Sequence, residues 1–222
     1  MITFVIFIDQ VDYARIIRAV PIRSCRMTKL YFVRHAETRI DADAAPDRWE
    51  LTDNAYGAVV KMFDGISTDS IDCIYYSPLK KASQTADIIS DIYGIVKVER
   101  DCLKEVERHF PYVEHGTFTR YVDQYLSGHD DKNFERYNDV RERIVSCVTD
   151  IVRESMGKSV MIVSHGVVIT VLYRHLIGTA LDPISWKTLK MPDLSVIDLD
   201  TGMVERGFYS GYRIRPLTKG KQ

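Results

Sequence analysis

The chain lacks any apolar run near the ~18–20 residues that a bilayer-crossing helix needs. It has no excess of either charge: 30 Lys plus Arg stand against 31 Asp plus Glu, a net charge of −1. That excludes a strongly cationic nucleic-acid binder. Cysteine is sparse, with four in 222 residues, at 25, 73, 102 and 147. None forms a C-x-x-C pair or has a histidine at zinc-ligand spacing, so a structural zinc site is not expected. Dispersed cysteines in a chain with no export signal read as reduced, cytoplasmic thiols packed as small apolar groups. No Gly/Ser/Pro-rich linker, internal repeat or low-complexity stretch divides the chain. What is present is ordinary globular material, 45% hydrophobic and 27% charged, enough for one substantial core.

Residues 2–8 (ITFVIFI) are apolar, but no basic segment precedes them and Asp9 cuts the run short, which argues against a secretory signal. Met27 then opens a clean first strand. Residues 1–26 are therefore expected to be an appendage, arising from an upstream start codon. A single domain is expected over 27–217, with a loose tail at 218–222; the chain from Tyr212 onward reads as basic and loose.

Patterning predicts an alternation of strands and helices. Strands are expected at Leu30–Val33, Ile71–Tyr76, Ile95–Val98 and Ser159–Val163. Leu194–Leu199 and Met203–Phe208 should form a hairpin around Asp200-Thr201-Gly202. Thr52 is expected to cap a helix reaching Phe63. Ser77-Pro78 reads as a hydroxyl cap followed by proline at the first helical position, with Leu79, Ala82, Ala86, Ile89 and Tyr93 on one helical face. Helices are expected from about Phe134 to Glu154 and from Gly166 to Ile177. Residues 105–135 read as an irregular, aromatic-rich cap. The predicted fold is a three-layer α/β/α sandwich with a mostly parallel central sheet. Such sheets bind ligands at the carboxyl ends of their strands.

Three polar clusters fall at those ends: Arg34-His35-Ala36-Glu37-Thr38, Ser77 to Ala86, and Ser164-His165-Gly166. If the strands are neighbours, the clusters converge on one crevice. LYFVRHAET, Leu51-Thr52, SPLKKASQTA, Leu103-Lys104-Glu105 and VMIVSHGVVI together resemble, in the right order, the signature segments of the histidine phosphatase superfamily, the phosphoglycerate-mutase-like proteins. The resemblance runs from Met27 to about Ser195. It implies that His35 is a nucleophile forming a phosphohistidine and that Arg34 holds the phosphoryl oxygens. It further implies that His165 stabilises the phosphoryl group in transfer and that Glu105 is the acid and then the base. Glu107 and Glu114 remain competitors for that last role. Lys81 falls where the family usually has a second arginine, and Asp41 where it often has a phosphate-binding asparagine. Thr38 and Gly166 complete the expected phosphate site, Gly166 by opening a helix whose N–H groups face an anion.

The residue chemistry is compatible with those roles. Imidazole is readily neutral near pH 7 and so free to attack. Arginine presents a fork matched to phosphate. Phosphoryl transfer needs positioning and fixed charge more than covalent activation. The implied activity is metal-independent, with no cofactor. The implied partner is a small phosphorylated metabolite, without nucleic acid or membrane; a homodimer stays open. Lys81 loses the guanidinium fork, and Asp41 adds an anion near the phosphate. A phosphoglycerate mutase and a phospho-ligand binding pseudoenzyme are the alternative readings. The aromatics Phe110, Tyr112, Phe118, Tyr121 and Tyr125 are expected to be the cap's own core, and His109, His115, His129 and His175 surface or cap residues.

Overall fold

The computed structural model describes residues 28–128, 132–178 and 181–215. The expected appendage at 1–26, the tail at 218–222 and His129 lie outside them. Six strands form one sheet: β1 (Lys29–Arg34), β2 (Ile71–Tyr76), β3 (Lys97–Glu99), β4 (Ser159–Ser164), β5 (Asp193–Asp198) and β6 (Met203–Gly207). Their order is β3-β2-β4-β1-β5-β6. The first four in that order run parallel, and β5 and β6 are antiparallel additions at one side. Among the described residues five α-helices accompany them: α1 (Ala55–Met62), α2 (Lys80–Tyr93), α3 (His115–Leu126), α4 (Tyr137–Glu154) and α5 (Gly166–Ile177).

The central strands are buried on both faces, so their sequences are unbroken apolar runs; all six residues of β4 are buried. Their side chains alternate between two cores. Leu30, Phe32, Val160 and Ile162 face α4 and α5, whereas Tyr31, Val33, Met161 and Val163 face α1 and α2. Helix α4 buries Val140, Ile144, Val148, Ile151 and Val152 at helical spacing. Helix α2 buries Ala82, Ala86 and Ile89 and stops at Gly94, whose left-handed φ of 66° suits a residue without Cβ. Helix α5 buries ten of its twelve residues, which anchors the chain after His165 rigidly in the core.

Four local expectations need correction. Helix α1 starts at Ala55 after Asn54, and Thr52 does not cap it: its hydroxyl is buried with no hydrogen-bond partner. Helix α2 starts at Lys80 after an extended Leu79, and Ser77 Oγ accepts from Leu79 N at 3.3 Å, ahead of the helix, rather than capping it. The cap is not wholly irregular. Val122, Tyr125 and Leu126 give α3 a buried stripe, hidden in sequence by interleaved polar residues. The stretch from Tyr212 to Arg215, expected to be loose, is tied down by backbone hydrogen bonds. Ile214 N donates to Gly202 O at 2.8 Å and Arg215 N to Leu176 O at 2.6 Å, covering the outer edge of the hairpin.

The thiol expectation also fails in part. Cys102 and Cys147 form a disulfide, with Cα atoms 5.9 Å apart. The first lies in the short 3-10 turn Asp101–Leu103 and the second on α4, elements that pack together. A separation of 45 residues carried no sequence signal for that pairing. Cys73 is a free, half-buried thiol, and Cys25 lies outside the described residues. Among the described residues no helix is long and apolar enough to cross a membrane.

Candidate active site

Sheet register brings the polar clusters together. Strand β4 lies between β1 and β2, with Arg34 opposite Ser164 and Tyr76 opposite Val163. The chain just past each strand continues the ladder: His35 N donates to Ser164 O at 3.0 Å, and Ser77 N to Val163 O at 3.1 Å. His35, His165 and Ser77 therefore emerge side by side at the carboxyl edge. The two imidazole rings lie 5.2 Å apart, centroid to centroid.

Each ring is held by one nitrogen. His35 Nδ1 lies 2.7 Å from the carbonyl of Ala36, an acceptor only, so Nδ1 carries the proton. That tautomer leaves Nε2 with its lone pair free. The Ala36 turn is itself pinned, since Ala36 N donates to Thr85 Oγ1 of α2 and that hydroxyl donates to Lys81 O. His165 Nε2 lies 2.8 Å from Ser77 Oγ, while its Nδ1 is buried without a partner. His35 is 6% exposed and His165 fully buried. Burial lowers the pKa of both well below the ordinary imidazole value. Lys81 and Arg34 push His35 further down, and His35 and Lys81 do the same to His165. Both rings are therefore neutral at pH 7.

The cations flank them. Arg34 ends β1, donates through Nη1 to Leu189 O at 2.6 Å and has a buried Nε with no partner. Lys81, in the first turn of α2, is 6% exposed and donates through Nζ to Pro46 O at 3.2 Å. Burial pulls its pKa down to about 8, against an upward push from Glu105 and a downward one from Arg108 and Arg34.

Glu105 occupies the start of α5. Its Oε1 accepts from Val106 N at 3.0 Å and Val168 N at 2.8 Å, and its Oε2 from Val167 N at 3.1 Å. This corrects the expectation for Gly166: the helix N–H groups just after it are taken by a carboxylate of the protein. The missing side chain of Gly166 serves Arg34 instead, because a Cβ there would come within 2.9 Å of Arg34 Nε. Of the three acidic candidates, Glu105 alone is joined to the cluster by these bonds. Glu107 and Glu114 are exposed, Glu107 lying 3.8 Å from His109. Asp41 is also exposed, its Oδ1 accepting from Asp43 N in its own turn, so it does not join the cluster. Thr38 is held by its backbone, in a bridge to Leu51.

Three residues were missed or misread. Ser77, read as a helix cap, is the partner of His165. Trp49 and Arg108 form the rim: the Arg108 guanidinium stands 5.8 Å from the Trp49 ring and 4.9 Å from that of Phe118. Tyr112 meets Trp49 edge-on at 6.1 Å. Thus Phe110, Tyr121 and Tyr125 do build the cap's core, around Phe134, and Phe118 packs against that core while also meeting Arg108; Tyr112 alone of the five lies at the rim. An aromatic in a loop gives no period from which its partner is readable.

Known proteins resemble this chain in sequence and in fold. A probable phosphatase of Schizosaccharomyces pombe is 29% identical over 166 residues, 68% of this chain and 57% of that protein. The 5''-phosphoribostamycin phosphatase of Niallia circulans is 33% identical over 141 residues, 57% of this chain and 66% of that one. The aligned region thus spans less than two thirds of the length of these two relatives. Among solved structures, YhfR of Bacillus stearothermophilus shares the fold with a TM-score of 0.65 and 24% identity, over 80% of this chain and 94% of that one. The family model for the histidine phosphatase superfamily, branch 1, matches residues 30–205. That span runs from the strand that delivers His35 to the last strand of the sheet, and the chain belongs to that superfamily.

Proposed function

We propose that the protein is a metal-independent phosphomonoesterase that works through a phosphohistidine on a small phosphorylated metabolite. The observation that carries the reading is the His35 tautomer. Nδ1–H is committed to Ala36 O, so a neutral Nε2 faces the site beside a second neutral imidazole, the buried Lys81 and the half-buried Arg34. Nε2 attacks phosphorus, and the bond from phosphorus to the ester oxygen breaks. The departing alkoxide takes the proton of the Glu105 carboxyl; Oε2 accepts a single N–H and keeps a lone pair for that proton. Water then gives a proton back to Glu105 and attacks phosphorus. The P–N bond breaks, releasing inorganic phosphate and neutral His35.

Arg34 and Lys81 offset the charge on the transferring group. The buried Nδ1 of His165 points to the same task, with Nδ1–H donating to a phosphoryl oxygen while Nε2 accepts the hydroxyl proton of Ser77. The test is hydrolysis of p-nitrophenyl phosphate in EDTA, with alkaline quenching and mass analysis of the His35 peptide. A phosphate adduct that vanishes in His35→Ala is expected. Folded protein that binds phosphate without turnover would instead be a phospho-ligand binder. Isomerised 3-phosphoglycerate without free phosphate would make it a mutase.

A further inference from the structure

Lys81 and Glu105 of the cluster border a cavity of about 610 Å³ whose lining also includes Asp47, Lys104, Arg108 and Arg143. It holds more cations than the proposed reaction uses. Two are already matched: Lys104 pairs with Asp101, and Arg143 with Glu135 at 2.8 Å through a two-pronged contact. Arg108 is different. Among the described residues no carboxylate lies within ion-pair distance of it, and its guanidinium rests on the Trp49 and Phe118 rings. Burial lowers its pKa while Glu105 and Asp47 oppose that only at a distance. Of the acids on the same cavity wall, Glu105 is bound at the start of α5, Glu107 lies 3.8 Å from His109 and Asp47 is exposed, and none of the three is within ion-pair distance of Arg108.

A desolvated guanidinium with free donors in a cavity is a site for an anion. Lys81 Nζ and Arg108 Cζ each stand 5.8 Å from the centroid of the same Trp49 ring. Both side chains also line the one cavity, so a phosphoryl group beside Lys81 leaves Arg108 for a further anion on the same ester.

We infer that Arg108 binds a second anionic group on the alcohol portion of the substrate, a carboxylate or a second phosphate, and so sets substrate preference. This rests on the phosphatase reading above. The test compares kcat/KM within two pairs: 3-phosphoglycerate against glycerol 3-phosphate, and fructose 1,6-bisphosphate against fructose 6-phosphate. The wild type is expected to favour the charged member of one pair at least tenfold, and the pair identifies the anion. Arg108→Gln should reduce that ratio at least tenfold, through KM, and Arg108→Lys should keep part of it. Equal values across both pairs, or an unchanged ratio in Arg108→Gln, would overturn the inference. Calorimetric titration of His35→Ala with the same four compounds reads the preference without chemistry. Selective binding there, lost on adding Arg108→Gln, sustains the anion site even if the wild type hydrolyses nothing, an outcome that sinks only the phosphatase reading. Indiscriminate binding there sinks the anion site.

Discussion

At the scale of single residues, Lys81 is where this chain departs most usefully from its relatives' expected arginine. Below a pKa of about 8 the buried side chain carries its charge; above it the charge is lost. That loss sets the sign: kcat/KM for a phosphate dianion should fall on the alkaline side with one inflection near 8 in the free protein. A bound dianion favours the ammonium, so the kcat profile should bend at a higher pH. Lys81→Arg keeps its cation throughout and should flatten the alkaline limb while retaining or raising activity. A pH–rate series on both proteins checks this; an alkaline limb that persists in Lys81→Arg assigns it to another group. His35 and His165, both lowered by burial, place the acid limb below the ordinary imidazole value. These residues were legible in sequence because strand ends are where such sheets put their ligands. Asp41 was not. A loop residue's position depends on a turn whose internal bonds, here Asp43 N to Asp41 Oδ1, compete with any role in the site.

At the scale of elements, the proposed acid Glu105 also bears on stability. Its carboxylate satisfies two orphan N–H groups of α5 and sits at the positive end of that helix's dipole. Glu105→Ala should cost about 2 kcal/mol of unfolding free energy, since it leaves buried donors bare. Glu105→Gln retains one carbonyl acceptor and should cost about half as much. Both should slow hydrolysis of an alkyl phosphate by roughly 100-fold or more. The loss on p-nitrophenyl phosphate should be much smaller, because nitrophenolate departs without a proton. Denaturant curves beside paired-substrate kinetics check this, and equal losses on both esters would make Glu105 a helix cap alone. The helices were legible by their stripes, but the cap helix α3 was hidden. Its buried face is only Val122, Tyr125 and Leu126, and its remaining aromatics belong to contacts with other elements.

At the scale of the whole molecule, the Cys102–Cys147 bond decides whether the Glu105 segment is held by covalent chemistry or by packing. Closing a 45-residue separation should stabilise the fold by about 4 kcal/mol through the unfolded chain, on the loop-entropy model. Yet the same segment has other tethers. Arg143 Nη1 donates to Cys102 O and Lys104 O at 3.0 and 2.9 Å, and Ser164 Oγ donates to Leu103 O at 2.8 Å. Those bonds survive reduction, so the bridge should act on stability rather than on turnover. In the unreduced, denatured protein Cys102 and Cys147 should not react with a thiol reagent, whereas Cys73 should. Reductant, or Cys147→Ser, should lower the denaturant midpoint sharply while leaving kcat at 25 °C within about twofold. A large fall in kcat with an unchanged midpoint would show instead that the hydrogen bonds alone cannot hold Glu105 in place.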